Sequence, residues 1–135
     1  MVNKEKVLQL EKIASQVRRD ALRMVHAVQS GHPGGSLGCA DFMTALYFEI
    51  MNVEPQNFTQ EGKGEDMFFL SNGHISPCLY SVLARRGYFE VSELATFRKL
   101  HTRLQGHPSN NHGLSGVRVA SGSLGQGISA AVGMA

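Results

Sequence analysis

The chain has 135 residues, of which 42% are hydrophobic and 18% charged, and it carries a net charge of +2 at pH 7. That composition is globular and excludes a disordered or coiled-coil chain. The small positive balance excludes the dense basic footprint of a dedicated nucleic-acid binder. No apolar run is long enough to span a bilayer, and a chain of this size builds a core without disulfides or a structural metal. The N-terminal Met1-Val2-Asn3-Lys4-Glu5-Lys6 lacks the apolar stretch of a secretory leader, which points to the cytoplasm. Cys39 and Cys78 stand alone, without a Cys-x-x-Cys pair, and read as reduced, buried thiols.

In chain order, Val7, Leu10, Ile13, Ala14, Val17, Ala21, Met24 and Val28 recur every three or four residues and predict an amphipathic helix from Lys4 to Gln29. Ser30 to Gly35 breaks it. A second helix is expected over Cys39–Met51, apolar on nearly all faces and therefore internal. A polar loop follows, Pro55 to Asp66. Met67-Phe68-Phe69-Leu70 reads as a short buried strand running into Ser71-Asn72-Gly73-His74. Ser76-Pro77 predicts the N-cap and first residue of a helix that Gly87 closes. Ser92 opens a short helix to Lys99, and His101 to Gly116 is a long polar loop. Val117-Arg118-Val119 is compatible with an extended piece. Ser123 and Gln126 fit a capping box opening a small-residue helix, which the last residue reaches without a stop signal.

Two residue types carry the chemistry. Of the six histidines, three directly follow a glycine, at Gly31-His32, Gly73-His74 and Gly106-His107. Each lies in a turn between elements, where backbone can aim an imidazole into a cleft for proton transfer or for hydrogen bonds to hydroxyls or phosphate. His26, His101 and His112 read as structural or solvated, and Arg85-Arg86 and Arg98-Lys99 as wet helix faces. Asp41 reads as a charge at a helix start. The glycine turn Gly122 to Gly127 has two readings: free amides for an electron-rich ligand, or close helix packing. It is neither a Walker loop nor a dinucleotide fingerprint. No carboxylate pair has the spacing for metal or glycosidase work.

Four blocks now stand in order: Ser30-Gly31-His32-Pro33-Gly34-Gly35-Ser36-Leu37-Gly38, Leu70-Ser71-Asn72-Gly73-His74, Gly106-His107-Pro108 and Ser121-Gly122-Ser123-Leu124-Gly125-Gln126-Gly127. Together they closely resemble the beginning of transketolases, especially the N-terminal subunit of the split, two-gene form. Deoxyxylulose-phosphate synthases share the fold but match the first and third blocks less well. The resemblance covers essentially the whole chain, so residues 1–135 are expected to form one partial thiamine-diphosphate-binding domain.

The resemblance implies an α/β fold fragment, mostly helical with one to three short strands. It implies a transferase of the pentose phosphate pathway that moves a two-carbon ketol unit between sugar phosphates, using thiamine diphosphate and Mg2+. His32 and His107 would serve the substrate, as catalytic residues; His74, Gly122, Ser123 and Leu124 would hold the cofactor. Ser123 departs from the proline that many family members carry. The family's magnesium motif, Gly-Asp-Gly and a later Asn, has no counterpart here, so metal ligands within the chain are none. The expected partners are a C-terminal transketolase subunit or missing half and a second copy, with neither nucleic acid nor membrane. Activity of these residues alone is not expected, and the competing reading is a non-catalytic truncated remnant or self-associating fragment.

Overall fold

In the computed structural model, which describes residues 3–135, the chain is wholly helical and irregular. Met1 and Val2, where the polar N-terminus argued against a leader, lie outside the described residues. Helix α1 (Lys4–Val28) starts because the Asn3 Oδ1 accepts from the amides of Glu5 and Lys6, and it ends where Gln29 turns left-handed at φ 50°. Its apolar stripe buries Ala14, Val17, Ala21 and Met24, as the periodicity predicts.

The break after α1 is shorter than expected. Pro33 has no N–H to lose at a helix start, so it opens α2 (Pro33–Gly38), and only Ser30 to His32 remain outside helix. The helix predicted over Cys39–Met51 is α3 (Ala40–Ala45) running into a π-helical turn, Leu46–Ile50, closed by the Met51 amide on the Leu46 carbonyl. Only one side of it is internal. Met43 and Tyr47 are buried, whereas Phe42 is 60% and Ile50 68% exposed.

Helix α4 (Ser76–Arg86) is the centre of the molecule: every residue from Ser76 to Ala84 is buried. Gly87 closes it in the left-handed region at φ 100°, as predicted. Its start differs. Ile75 occupies the cap position, and the Ser76 hydroxyl donates to the Gly106 carbonyl at 2.7 Å instead of capping the helix. Val91–Thr96 forms a 3-10 turn where a helix to Lys99 was expected. The last element is α5 (Gln126–Met134), capped by Gly125 at φ 98°. Ser123 is not the cap; its carbonyl accepts the Gln126 amide in the preceding turn.

The expected α/β class is overturned, since no strand or sheet occurs among the described residues. A strand is defined by its ladder, and neither candidate segment finds a neighbouring strand. Met67 to Leu70 is irregular; Phe68 packs edge-on against Tyr47 at 5.5 Å and Leu70 enters the core. Val117 turns back to bond the Leu114 carbonyl, and Arg118 pairs with Glu65 while lying 4.6 Å over the Phe58 ring. Cys78 is fully buried, and burial first, with Cys39 nearby, pushes its thiol up to about 12. Cys39 is only half-buried, and both cysteines are free.

One buried carboxylate ties α1 to α4. Asp20, 5% exposed, accepts from Arg85 Nε at 2.5 Å and Nη2 at 3.0 Å, from Ser81 Oγ at 2.7 Å and from Gln16 Nε2 at 3.0 Å. Burial alone would raise its pKa. The hydrogen bonds from Arg85, Ser81 and Gln16, with the Arg85 charge, outweigh that and hold the carboxyl below the usual range. A depressed carboxyl stabilises the fold fully above its unfolded pKa of about 3.9 and loses that contribution as pH falls through the folded value. Asp20→Asn should therefore cost about 2–4 kcal/mol near neutral pH by urea denaturation, since it leaves Arg85 without its counter-charge. The gap between the two proteins should shrink below about pH 4. A second expectation concerns α5. A Cβ on Gly127 would fall 2.4 Å from Ser71 Cα, a backbone atom that cannot swing aside. Gly127→Ala should undock α5, seen as faster amide hydrogen exchange there with little change in α1 and α4.

Candidate functional site

The three glycine-histidine steps lie far apart in sequence and meet in space. His32 is the cap residue of α2, and its carbonyl accepts the Ser36 hydroxyl at 3.1 Å. Gly35 sits where a Cβ would strike Ile75 Cγ2 at 2.7 Å, so the start of α2 presses onto the turn Gly73–Ile75. That contact brings the rings of His32 and His74 to 5.2 Å between centroids, edge to face.

His107 is carried by a loop whose backbone is held by α4. Ser76 Oγ bonds the Gly106 carbonyl, and Tyr80 OH bonds the Gln105 carbonyl at 2.8 Å. Next, the Ser121 amide donates to the Pro108 carbonyl at 3.2 Å, which lays the last glycine turn against this loop. Gly122 then faces the His107 ring, its absent Cβ 2.9 Å from Cδ2. The same turn rests on the second block: a Cβ on Gly73 would lie 2.5 Å from the Ser121 carbonyl oxygen, and the Gly125 amide donates to Ser71 Oγ at 3.3 Å. Of the two readings of these glycines, close packing is thus realised, and it is the means by which the four blocks are assembled.

The result is an open cleft of about 500 Å3 lined by His107, Ala120, Ser121, Gly122, Ser123 and Gln126. Gln126 is the first residue of α5, so that helix brings its free amides and positive dipole end to the cleft wall. Leu124 is 69% exposed beside it. A more enclosed cavity of about 400 Å3, lined by Asp20, Met24, Arg85, Leu94 and Phe97 among others, is apolar and holds no histidine. The chemistry lies in the open cleft.

Burial, first, and then the charge of Arg98 and the nearness of His32 and His74 hold the His107 imidazole below its ordinary range, so at neutral pH it is uncharged and able to accept a proton. No carboxylate lines the cleft. Among the described residues no group of three or more His, Cys, Asp and Glu side chains is placed to hold a metal ion. His26, His101 and His112 are exposed and stay out of the cluster. Asp41 does lie in the first turn of α3, where it makes a two-pronged surface pair with Arg18.

Two participants escape the sequence reading. Arg98, read as part of a wet helix face, turns its guanidinium inward, where Nη1 donates to Ser30 Oγ at 2.8 Å. Ser121 Oγ is buried without a hydrogen-bond partner among the described residues. For Arg98 the sequence offers no signal; for Ser121 the signal is its position before a glycine in the last block.

Residues 9–135 match the family described as transketolase, thiamine diphosphate binding domain. The chain is 40% identical over 126 residues to transketolase 1 of Escherichia coli, covering 93% of this chain and 19% of that protein. It is 39% identical over 132 residues to a 6-deoxy-6-sulfo-D-fructose transketolase subunit of a Clostridium species, covering 97% of this chain and 46% of that subunit. Its backbone superposes on a Pichia stipitis transketolase solved in complex with sedoheptulose 7-phosphate, with a TM-score of 0.85, 40% identity, and coverage of 92% of this chain and 18% of that one. The chain therefore spans about a fifth of the length of the full-size relatives it matches. With the family match running unbroken through all four blocks, the chain belongs to the transketolase thiamine diphosphate-binding domain family.

Proposed function

We propose that the cleft is the portion of a transketolase active site contributed by this chain, within an enzyme that transfers a two-carbon ketol unit between sugar phosphates of the pentose phosphate pathway. The observation that carries the reading is the convergence of His32, His74 and His107 beside the Gly122–Gly127 turn. The residues present suit thiamine diphosphate: Ser121 Oγ is a buried polar atom without a partner, and the α5 N-terminus favours an anion. His74, with Gly122, Ser123 and Leu124, would hold the cofactor, which supplies the means to stabilise the ketol carbanion when bound. His32 and His107 would serve the sugar. An uncharged His107 accepts a hydrogen bond or a proton from a hydroxyl beside the reacting carbon, and Gly122 keeps that imidazole against the turn.

Magnesium does not fit these residues. It requires hard oxygen ligands, and the cleft lining contains no carboxylate. The metal ligands, like the complementary transketolase half, belong to chain that this sequence does not include, and residues 1–135 are then one partial domain without activity of their own. Exposed Phe42, Ile50, Ile128 and Val132 provide apolar surface for that half or for a second copy. The two free cysteines agree with a cytoplasmic setting.

Two measurements test the reading. Calorimetric titration of the chain with thiamine diphosphate and magnesium should give no dissociation constant tighter than about millimolar; micromolar, magnesium-dependent binding would place the metal site within these residues and contradict the assignment. In the enzyme assembled with its complementary half, His107→Ala should lower turnover about 10²- to 10⁴-fold. His112→Ala should change it less than about threefold, as an exposed residue outside the cluster. His74→Ala should instead raise the cofactor concentration needed for half activity, because it removes a ground-state contact. Equal tolerance of the His107 and His112 substitutions would sink the site assignment.

A further inference from the structure

Arg98 is held in a manner that ordinary surface arginines are not. Its backbone lies in the left-handed region at φ 56°, a conformation that strains a residue with a Cβ. The strain is fixed from both sides: Phe97 is 1% exposed in the core, and the Arg98 amide donates to the Leu104 carbonyl at 2.9 Å. The guanidinium extends from that kink to two places at once. Nη1 donates to the hydroxyl of Ser30, two residues before His32. A Cβ on Gly106 would lie 2.7 Å from each of Cζ, Nε and Nη2, so the guanidinium plane lies flat on the residue that precedes His107. Among the described residues Arg98 forms no ion pair with a carboxylate, and its Nε is buried without an acceptor. A strained backbone and an under-bonded buried donor together mark a group retained for what it holds in place.

We propose that Arg98 is a positioning residue: its guanidinium clasps the Ser30 loop to the Gly106 step and thereby fixes the His107 imidazole beside His32 and His74. The inference rests on the reading of His107 as a substrate-side residue, and adds a residue to that reading which none of the glycine-histidine blocks contains. The plane is the essential feature. Lysine supplies the charge but neither the flat face against Gly106 nor two separated donors. The charge acts as well, because no carboxylate neutralises it. The groups facing His107 are Arg98 from its own segment, His32 from the start of α2 and His74 from the turn before α4; Tyr80 of α4 reaches only the Gln105 carbonyl, and the Ser121–Gly127 turn has no titratable side chain. All of these disfavour the imidazolium or leave it unaided.

The test compares Arg98→Ala, Arg98→Lys and Ser30→Ala by two readouts. The first is a histidine side-chain NMR titration of the chain, which requires no activity. Arg98→Ala should move the His107 titration up toward the ordinary imidazole range and leave His26 and His112 where they were; Arg98→Lys should keep it low. The second is turnover in the enzyme assembled with its complementary half. Arg98→Ala and Arg98→Lys should each lower kcat about 10- to 100-fold, the cost of a misplaced group, with the cofactor requirement unchanged. The acid limb of the pH–rate profile should move up in Arg98→Ala alone. Should Arg98→Ala lose its circular dichroism signature, Arg98→Lys and Ser30→Ala carry the test, each with low His107 titration and kcat reduced about tenfold. An unmoved His107 titration in folded Arg98→Ala overturns the proposal, as does full turnover in all three variants while His107→Ala is damaged. A moved titration with full turnover in both Arg98→Ala and His107→Ala would leave the clasp standing and refute the substrate-side role of His107.

Discussion

A helix with no wet face has to be covered on every side, and its polar side chains have to be satisfied from within. That condition, imposed by α4, organises the rest of this molecule. From Ser76 to Ala84 every residue is buried, yet the segment carries Ser76, Tyr80 and Ser81. Each hydroxyl finds a partner on a different neighbour: Ser81 on Asp20 of α1, Tyr80 on the Gln105 carbonyl, Ser76 on the Gly106 carbonyl. The first bond, with the Arg85 contacts to the same carboxylate, locks the long N-terminal helix to the centre. The other two hold the backbone immediately before His107. The requirement that buried polar groups be paired thus fixes both the scaffold and the approach of one imidazole to the cleft.

The charges are sorted by the same logic. Asp20, Asp41, Glu65 and Glu93 are each engaged by an arginine away from the cleft. Among the described residues Arg98 has no such partner, and its charge bears on His107 instead. An uncompensated guanidinium near an imidazole partly removed from water favours the neutral form of His107, which is the form that can accept a proton. The cleft is therefore poised for neutral imidazole chemistry and for an electron-rich ligand at the α5 N-terminus, and is unsuited to holding a hard cation by itself.

Glycine links the scaffold to the cleft. At Gly73 and Gly127 the opposing atoms are main chain, so a methyl group could be accommodated only by moving a segment. At Gly122 the neighbour is the His107 ring itself. Removing a side chain at Gly73 and Gly127 lets the second and fourth blocks approach to backbone contact, while Gly35 and Gly106 admit the Ile75 and Arg98 side chains at the first and third.

Local features were legible in the sequence because they depend on near neighbours. The 3.6-residue period placed α1, Gly87 announced the end of α4, and the three glycine-histidine steps marked the side chains that meet. Features that depend on distant partners were not. Met67 to Leu70 has the apolar content of a strand, but a strand exists only through hydrogen bonds to another, and none is offered among the described residues. Ser76 and Ser123 have the right identity for caps, yet the Gly106 carbonyl competes for the first, and the left-handed Gly125 displaces the second. Arg98 next to Lys99 has the look of a solvated pair; only the kink at φ 56° and the bare face of Gly106 bring its guanidinium to the residue before His107. The sequence by itself determined where the long helices α1 and α4 run and which residue types could do chemistry, since periodicity and residue type are local properties. Tertiary structure alone decided that His32 and His74 meet and that an arginine reaches from the residue before His107 to Ser30, because such contacts are set by packing between segments dozens of residues apart.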